Sequence, residues 1–280
     1  MSTDSSLLAD LFGLSGSVAV VTGAGGAIGG AIARALSGAG ATTVLVARRR
    51  EPLERVAHEL SAGGAATLVA PGDVLDQARL EEIRSDVLAR FGRIDVLINA
   101  AGGNVPGAAL AAGASAFDLT ASAFSEVVDL NLVGTLLPSL VFGQAIADHA
   151  PLGGSIVNIS SMAATRAITR VAGYGAAKAA VESLTRWLAV EAARRHAGKL
   201  RVNAIAPGFF IGEQNRSLLL DESGELTQRG REIVAHTPLA RFGEVAELAS
   251  TALWLCGPGA RFVSGVVVAV DGGFGAFSGV

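Results

Sequence analysis

The chain has 280 residues, half of them hydrophobic and 17% charged, with a formal net charge of −3. That length and composition can bury a large core in one α/β domain, and a mildly negative chain without a long basic run argues against a nucleic-acid binder. A single cysteine, Cys256, excludes an intrachain disulfide framework and fits a reducing cytoplasm.

The opening segment MSTDSSLLADLFGLSGS has no basic region ahead of its short apolar run, so it does not read as a signal peptide. No apolar stretch reaches membrane-spanning length without glycine or charge, and no membrane partner is expected. VAVVT (18–22) reads as a strand, followed by a glycine-rich turn and a helix over 27–39. TVLVA (43–47), a helix over 52–62, ATLVA (66–70), a helix over 76–91 and IDVLIN (94–99) come next. A Gly/Ala-rich connection (103–121) leads to a helix over 122–149, then SIVNIS (155–160) and a helix over 172–196. LRVNAI (200–205) precedes a polar segment at 207–240, a helix over 244–256 with Cys256 in its apolar pattern, and VVVAV (266–270). Strands apolar on both faces belong to a parallel sheet covered on both sides. Strict βαβ alternation implies right-handed crossovers and a doubly wound, seven-stranded parallel α/β sheet. Without a linker or repeat, residues 1–280 read as one domain. Its two irregular segments, 103–121 and 207–240, lie at the carboxyl edge of the sheet, the second as a lid over the ligand.

TGAGGAIGG (22–30) joins the first strand to the first long helix. Gly23, Gly25 and Gly29, with Ala27 and Ile28, would let the backbone turn tightly and bring a pyrophosphate to the helix N-terminus. The second strand ends at Ala47, where a carboxylate would bind a ribose 2′-hydroxyl, and continues into Arg48 and Arg49. Guanidinium groups there suit a 2′-phosphate, so NADP(H) is expected in preference to NAD(H). The plainer alternative is that Arg48, Arg49 and Arg50 form a solvated loop. Asp73, beside Val74 in PGDV, is placed to accept from an adenine amino group. Asn99, Ala100, Ala101 and Gly102 (NAAG) leave room for the adenosine ribose, and Pro207 and Gly208 end the sixth strand beside the cofactor.

Tyr174 and Lys178 lie four residues apart, which stacks them on one helical face. A phenol has an unperturbed pKa of about 10, and a neighbouring ammonium stabilises the phenolate and lowers that value. Ser160 and Ser161 end the fifth strand, where a hydroxyl could hold a substrate oxygen beside the phenol. The plainer alternative makes Tyr174 a packing residue and Lys178 a surface charge.

Taken together, TGAGGAIG, NAAG, the Asn of VVDLNLVGT, a Ser upstream of YGAAK, NAIAPG and VDGG give a chain that resembles the short-chain dehydrogenase/reductase family over nearly its whole length. The resemblance implies a Rossmann fold and a tetrad of Ser161, Tyr174, Lys178 and Asn131, with Ser160 structural. It implies that Tyr174 transfers a proton to or from the substrate oxygen and that Ser161 positions that oxygen. Lys178 would lower the tyrosine pKa and bind the nicotinamide ribose, and Asn131 would hold a relay water. Three positions depart from the family pattern: Ala27 for the middle glycine, Ala100 for a second asparagine, and Gly212 where a threonine is frequent. A homotetramer paired through 122–149 and 172–196 is also implied, with the apolar tail GGFGAFSGV docked on a neighbouring subunit.

Within the family, GFFIGEQNRSLLL, GELTQRG, HTPLARFGE and VDGGFGAFSGV are similar to sugar-acid dehydrogenases of the D-mannonate oxidoreductase (fructuronate reductase) type. Arg216 could then hold a carboxylate as a bidentate fork, with Gln214 and Asn215 reading hydroxyls. Asn104 and Arg166 are further substrate candidates, beside Ser161 and Tyr174. The plainer alternative is a solvated helical turn with Arg216 paired to Glu213. His236 either lines the pocket or caps a helix. No metal site is expected. Phe209, Phe210, Phe274 and Phe277 keep open a 3-oxoacyl thioester reductase or hydrophobic-alcohol dehydrogenase. The Tyr174/Lys178 pair speaks against a non-catalytic nucleotide-binding module.

Overall fold

In the computed structural model, which describes residues 4–105, 107–111, 113–150, 153–213 and 215–279, seven parallel strands form one sheet. They are β1 (Val18–Thr22), β2 (Thr42–Ala47), β3 (Thr67–Pro71), β4 (Val96–Asn99), β5 (Gly154–Ile159), β6 (Leu200–Pro207) and β7 (Val267–Val270). The order is β3-β2-β1-β4-β5-β6-β7, so the winding reverses between β1 and β4. Every strand lies within two residues of its expected position.

The described helices are α1 (Asp4–Phe12), α2 (Ala27–Gly38), α3 (Arg50–Ala62), α4 (Gln77–Phe91), α5 (Ala121–Val128), α6 (Gly134–His149), α7 (Ala172–Arg195), α8 (Arg216–Leu219), α9 (Gln228–Ala235) and α10 (Val245–Cys256). The sheet divides them into two layers, and strand residues alternate between two cores. Ala19, Val21 and Ile98 pack with Ile32, Leu36 and Leu248 on one face. Val20, Val44 and Leu97 pack with Ile83, Phe142 and Ile146 on the other. Cys256 is buried in the first core, where desolvation pushes its thiol up to about 12, so it is an inert packing residue.

The continuous helix expected over 122–149 is corrected. A π-helical turn (Asp129–Val133) separates α5 from α6. Side chains bond to the backbone within it: Asn131 Nδ2 donates to Val127 O at 2.9 Å, and Thr135 Oγ1 donates to Asn131 O at 2.8 Å. Such an inserted residue re-aims the helix and is frequent at functional sites. The run Ala121–His149 is long and apolar enough by composition to cross a membrane, but 61% of its apolar window is buried, as in a core helix.

The helix α1 was not anticipated. It packs on the turn after α10, where a Cβ on Gly257 or Gly259 would fall 2.8 or 3.0 Å from Leu11 O.

Candidate active site

A cleft of about 1380 Å³ runs along the carboxyl ends of the strands. The segments that follow β1, β2, β3, β4, β5 and β6 all contribute to its wall. This is the position of ligands in open α/β sheets, and the volume exceeds the roughly 300–1,000 Å³ of a single small-molecule pocket.

At one end Gly23, Gly25, Ala27, Ile28 and Gly29 line the cleft. Gly23 has a φ of +66°, and a Cβ on it would lie 2.6 Å from Ala100 O; a Cβ on Gly29 would lie 2.3 Å from Gly23 O. These two glycines are therefore needed for the turn itself. Gly26 is the N-cap of α2 and offers no side-chain acceptor. The amides of the first turn are left for an anion, which fits a dinucleotide pyrophosphate.

Beyond β2, Arg48 and Arg49 also line the cleft. Their basic neighbours are paired: Arg34 with Glu59 at 2.6 Å, Arg55 with Glu51 at 2.7 Å, and Arg50 with Glu54 at 3.6 Å. Among the described residues Arg48 and Arg49 form no ion pair. Asp73 and Val74 line the cleft, with Asp73 Oδ1 accepting from Leu75 N at 3.0 Å. Ala100, Ala101 and Gly102 line it too, and Thr22 Oγ1 accepts from the amides of Ala100 and Ala101 at 3.2 Å each. Thr22 is a positioning group that the sequence reading missed; its signal is the hydroxyl that ends β1.

At the other end stand Ser161 and Tyr174, both on the cleft wall. Lys178 lies directly behind, 3% exposed, with Nζ donating to Ile159 O at 2.7 Å and 5.5 Å from the Tyr174 ring centroid. Burial pulls the Lys178 ammonium down to about 8. The expected lowering of the tyrosine pKa is corrected: burial raises it above 10.0, while the Ser161 hydroxyl pulls the other way. Desolvation of the phenolate outweighs the available hydrogen bond. Ser160 faces away from the cleft, with its hydroxyl on Glu182 Oε1 at 3.1 Å, as a structural residue should.

Asn131 is fully buried behind the cleft. Its amide accepts from Gly103 N at 3.0 Å and donates to Gly103 O at 2.7 Å and to Val127 O at 2.9 Å. The side chain thus fixes the NAAG loop, and both its donors are already committed. Gly102 fits between Asn131 and Lys178: a Cβ there would meet Asn131 Oδ1 at 2.7 Å and Lys178 Nζ at 3.3 Å.

Several expected contacts are corrected. Asn99 is buried at 1% exposure and turned away from the cleft, donating to Ser139 Oγ and Asn158 Oδ1 at 2.9 Å each. Pro207 is buried at the end of β6, and only Gly208 reaches the cleft wall. Arg166 donates to Gly275 O and so clamps the tail of its own chain. That tail also sets Phe274 against Phe209, at 5.3 Å between ring centroids and 60° between ring planes. Asn215 lines the cleft, but its Oδ1 accepts from Gly212 N and its Nδ2 donates to Phe210 O, each at 2.8 Å. Its side chain thereby braces the loop. Arg216 is exposed and outside the lining residues. Gln214 lies outside the described residues. His236 is exposed, with Nδ1 2.8 Å from Glu232 O at the end of α9. Asn104 does line the cleft. So do Arg170 and Arg229, which the sequence reading passed over because neither sits in a recognisable motif.

This sheet, its glycine turn and the Ser161–Tyr174–Lys178 cluster define an oxidoreductase dependent on a nicotinamide dinucleotide. The chain belongs to the short-chain dehydrogenase/reductase family, and the family model described as Enoyl-(Acyl carrier protein) reductase matches residues 23–275. The uncharacterized oxidoreductase UxuB of Bacillus subtilis is 41% identical over 278 residues, covering 95% of this chain and 98% of that one. A Haemophilus influenza structure provisionally named a D-mannonate oxidoreductase, with bound NAD, superposes with a TM-score of 0.88 at 37% identity, covering 98% and 100% of the two chains. A gluconate 5-dehydrogenase from Burkholderia cenocepacia, in complex with NADP and tartrate, gives 0.83 at 30%, covering 96% and 99%.

Proposed function

We propose that this chain interconverts a keto group and a secondary alcohol on a sugar acid, of the fructuronate/mannonate or ketogluconate type, with NADP(H) preferred over NAD(H). The observation that carries the reading is Ser161 and Tyr174 opening together onto a cleft backed by the buried Lys178. The sugar-acid assignment is supported by the relatives named above, one provisionally called a D-mannonate oxidoreductase and one a gluconate 5-dehydrogenase. The cofactor preference is supported by Arg48 and Arg49, which face the cleft without a carboxylate partner among the described residues. Those relatives carry NAD in one case and NADP in the other.

A bound nicotinamide supplies or accepts the hydride. Ser161 Oγ and the Tyr174 phenol hold the substrate oxygen between them. In carbonyl reduction Tyr174 donates its proton as negative charge develops on that oxygen; in alcohol oxidation it takes the proton back. Burial keeps the free phenol protonated, the form that reduction requires. Lys178, anchored on Ile159 O, presents positive charge behind the ring, where it stabilises a developing phenolate. Asn131 keeps Gly103 and the NAAG loop in register. The segment 207–240 acts as the lid. We further propose a homotetramer, supported by Leu140, Trp187 and Val190, which are 53%, 59% and 55% exposed on α6 and α7.

A second reading has its own observation. Met162, Ile168, Phe209, Ile211 and Leu218 give the substrate end an apolar wall, which suits a thioester or a hydrophobic ketone. Turnover of keto-hexonates, acetoacetyl thioesters and hydrophobic ketones, each with NADPH and NADH, separates the two. Highest kcat/KM on a keto-hexonate with NADPH is expected. Turnover of the thioester alone rejects the sugar-acid assignment.

A further inference from the structure

We infer that Arg229 is the anchor for the substrate's carboxylate, a role the sequence pattern suggested for Arg216. The inference rests on the sugar-acid reading above and adds the group that would select the acid. Arg229 is half-buried on the wall of the catalytic cleft, and its guanidinium lies 3.4 Å from Thr169 Oγ1. Ile168, Thr169, Arg170 and Val171 form the same stretch of wall and lead directly into α7 and Tyr174. Arg229 therefore faces the reacting end of the cleft, while Arg48 and Arg49 belong to the end beyond β2.

The other arginines around this end are engaged elsewhere or lie outside the cleft. Arg166 holds Gly275 O, and Arg241 is paired with Glu247 at 2.5 Å. Arg231 donates to Leu226 O. Arg170 adopts a left-handed backbone, φ 76°, and both its carbonyl and its Nε are bonded to Leu110. Arg216 is exposed outside the cleft. For Arg229, the Thr169 hydroxyl is the one hydrogen-bond partner among the described residues. Glu126, Asp129 and Glu213 line the same cleft, and none lies within ion-pair distance of it. A half-buried guanidinium beside a hydroxyl, without a carboxylate of its own, matches a carboxylate ligand in charge and in bidentate geometry.

The local fold holds Arg229 in place. Thr227 caps α9 by accepting from Gly230 N at 3.0 Å, and its own hydroxyl donates to Leu218 O at 2.7 Å. Thr227 N donates to Leu219 O at 3.0 Å. Gly230 lets α9 press on α8, since a Cβ there would fall 2.4 Å from Leu219 O. The second residue of α9 is thereby presented from a fixed helix start.

The test measures kcat and KM for a hexonate and for the matching neutral hexitol, with saturating NADP+ or NAD+. Wild type, Arg229→Gln, Arg229→Lys and Arg216→Gln are compared. The acid-over-neutral ratio of kcat/KM is expected to fall about 10- to 100-fold in Arg229→Gln, mostly through KM, the range for a hydrogen-bonded ion pair. Arg229→Lys should keep part of the preference, because it keeps the charge and loses the fork. Arg216→Gln should keep all of it. If wild type prefers the acid and Arg229→Gln and Arg229→Lys prefer it equally, Arg229 is not the anchor and the sugar-acid reading stands. If wild type shows no preference for the acid, the sugar-acid reading fails and the anchor fails with it.

Discussion

Asn131 grips Gly103 by both of its backbone groups, accepting from the N–H at 3.0 Å and donating to the carbonyl at 2.7 Å. The π-helical turn is what lets a residue of a long helix do this, and Gly102 is what lets the gripped loop pass between Asn131 and Lys178. The loop that follows β4 is thus held through one amide and packed closely against the buried lysine. Asn131→Asp replaces its donors with an acceptor facing Gly103 O and Val127 O, at a cost of about 1–3 kcal/mol for each buried carbonyl left unpaired. A lower urea midpoint together with a raised KM for the cofactor is expected. Wild-type cofactor KM in a folded variant would separate this amide from the cofactor site.

Tyr174→Phe removes the phenolic oxygen and keeps the ring packed over Lys178. General acid–base catalysis is worth roughly 10²- to 10⁴-fold, so kcat should fall by that factor. Cofactor affinity, followed by fluorescence of the bound reduced nicotinamide, should stay near wild type. Retention of more than about a tenth of the turnover contradicts the proton-transfer role.

The sheet and long helices were readable because burial on both faces leaves apolar runs whose length and period differ between strand and helix. Tyr174 and Lys178 were readable because helical spacing alone puts them on one face. The errors share another cause. Asn99 pairs in register with Asn158 on the next strand, so its amide turns into the sheet and away from the cleft. Arg166 meets Gly275, 109 residues away, and Arg229 meets Thr169, 60 residues away. Contacts between loops at such separations follow no period. For Arg216 the plainer reading of a solvated turn is the nearer one, since it is exposed outside the cleft, although it forms no ion pair with Glu213 among the described residues.

Arg48→Ala should weaken NADPH far more than NADH. A charge-assisted contact to a 2′-phosphate is worth about 1.5–3 kcal/mol, or roughly 10- to 150-fold in affinity. Arg50→Ala is the control, since Arg50 already pairs with Glu54. Dissociation constants for both cofactors decide it, and equal weakening of the two rejects the 2′-phosphate assignment.

Lys178 gives a stability prediction with a definite sign. Its amine is buried and titrates at about 8, against 10.5 for the ordinary side chain. Below pH 8 the ammonium is charged in both states, and the folded state bears the full desolvation penalty. Between pH 8 and 10.5 the unfolded chain holds a proton that the folded chain has released, so wild-type stability gains as pH rises through that window. The total gain is of the order of 3 kcal/mol. Lys178→Met lacks this titration, and its loss of the bond to Ile159 O is a constant offset. The stability of wild type minus that of Lys178→Met should therefore rise between pH 7.5 and pH 10, when unfolding is measured in urea at fixed ionic strength. Titrations remote from Lys178, that of Cys256 included, cancel in the difference, and making the comparison in a Tyr174→Phe background removes the phenol that Lys178 faces. A difference that is flat with pH would mean that Lys178 keeps an ordinary pKa, and that burial does not tune the amine behind Tyr174.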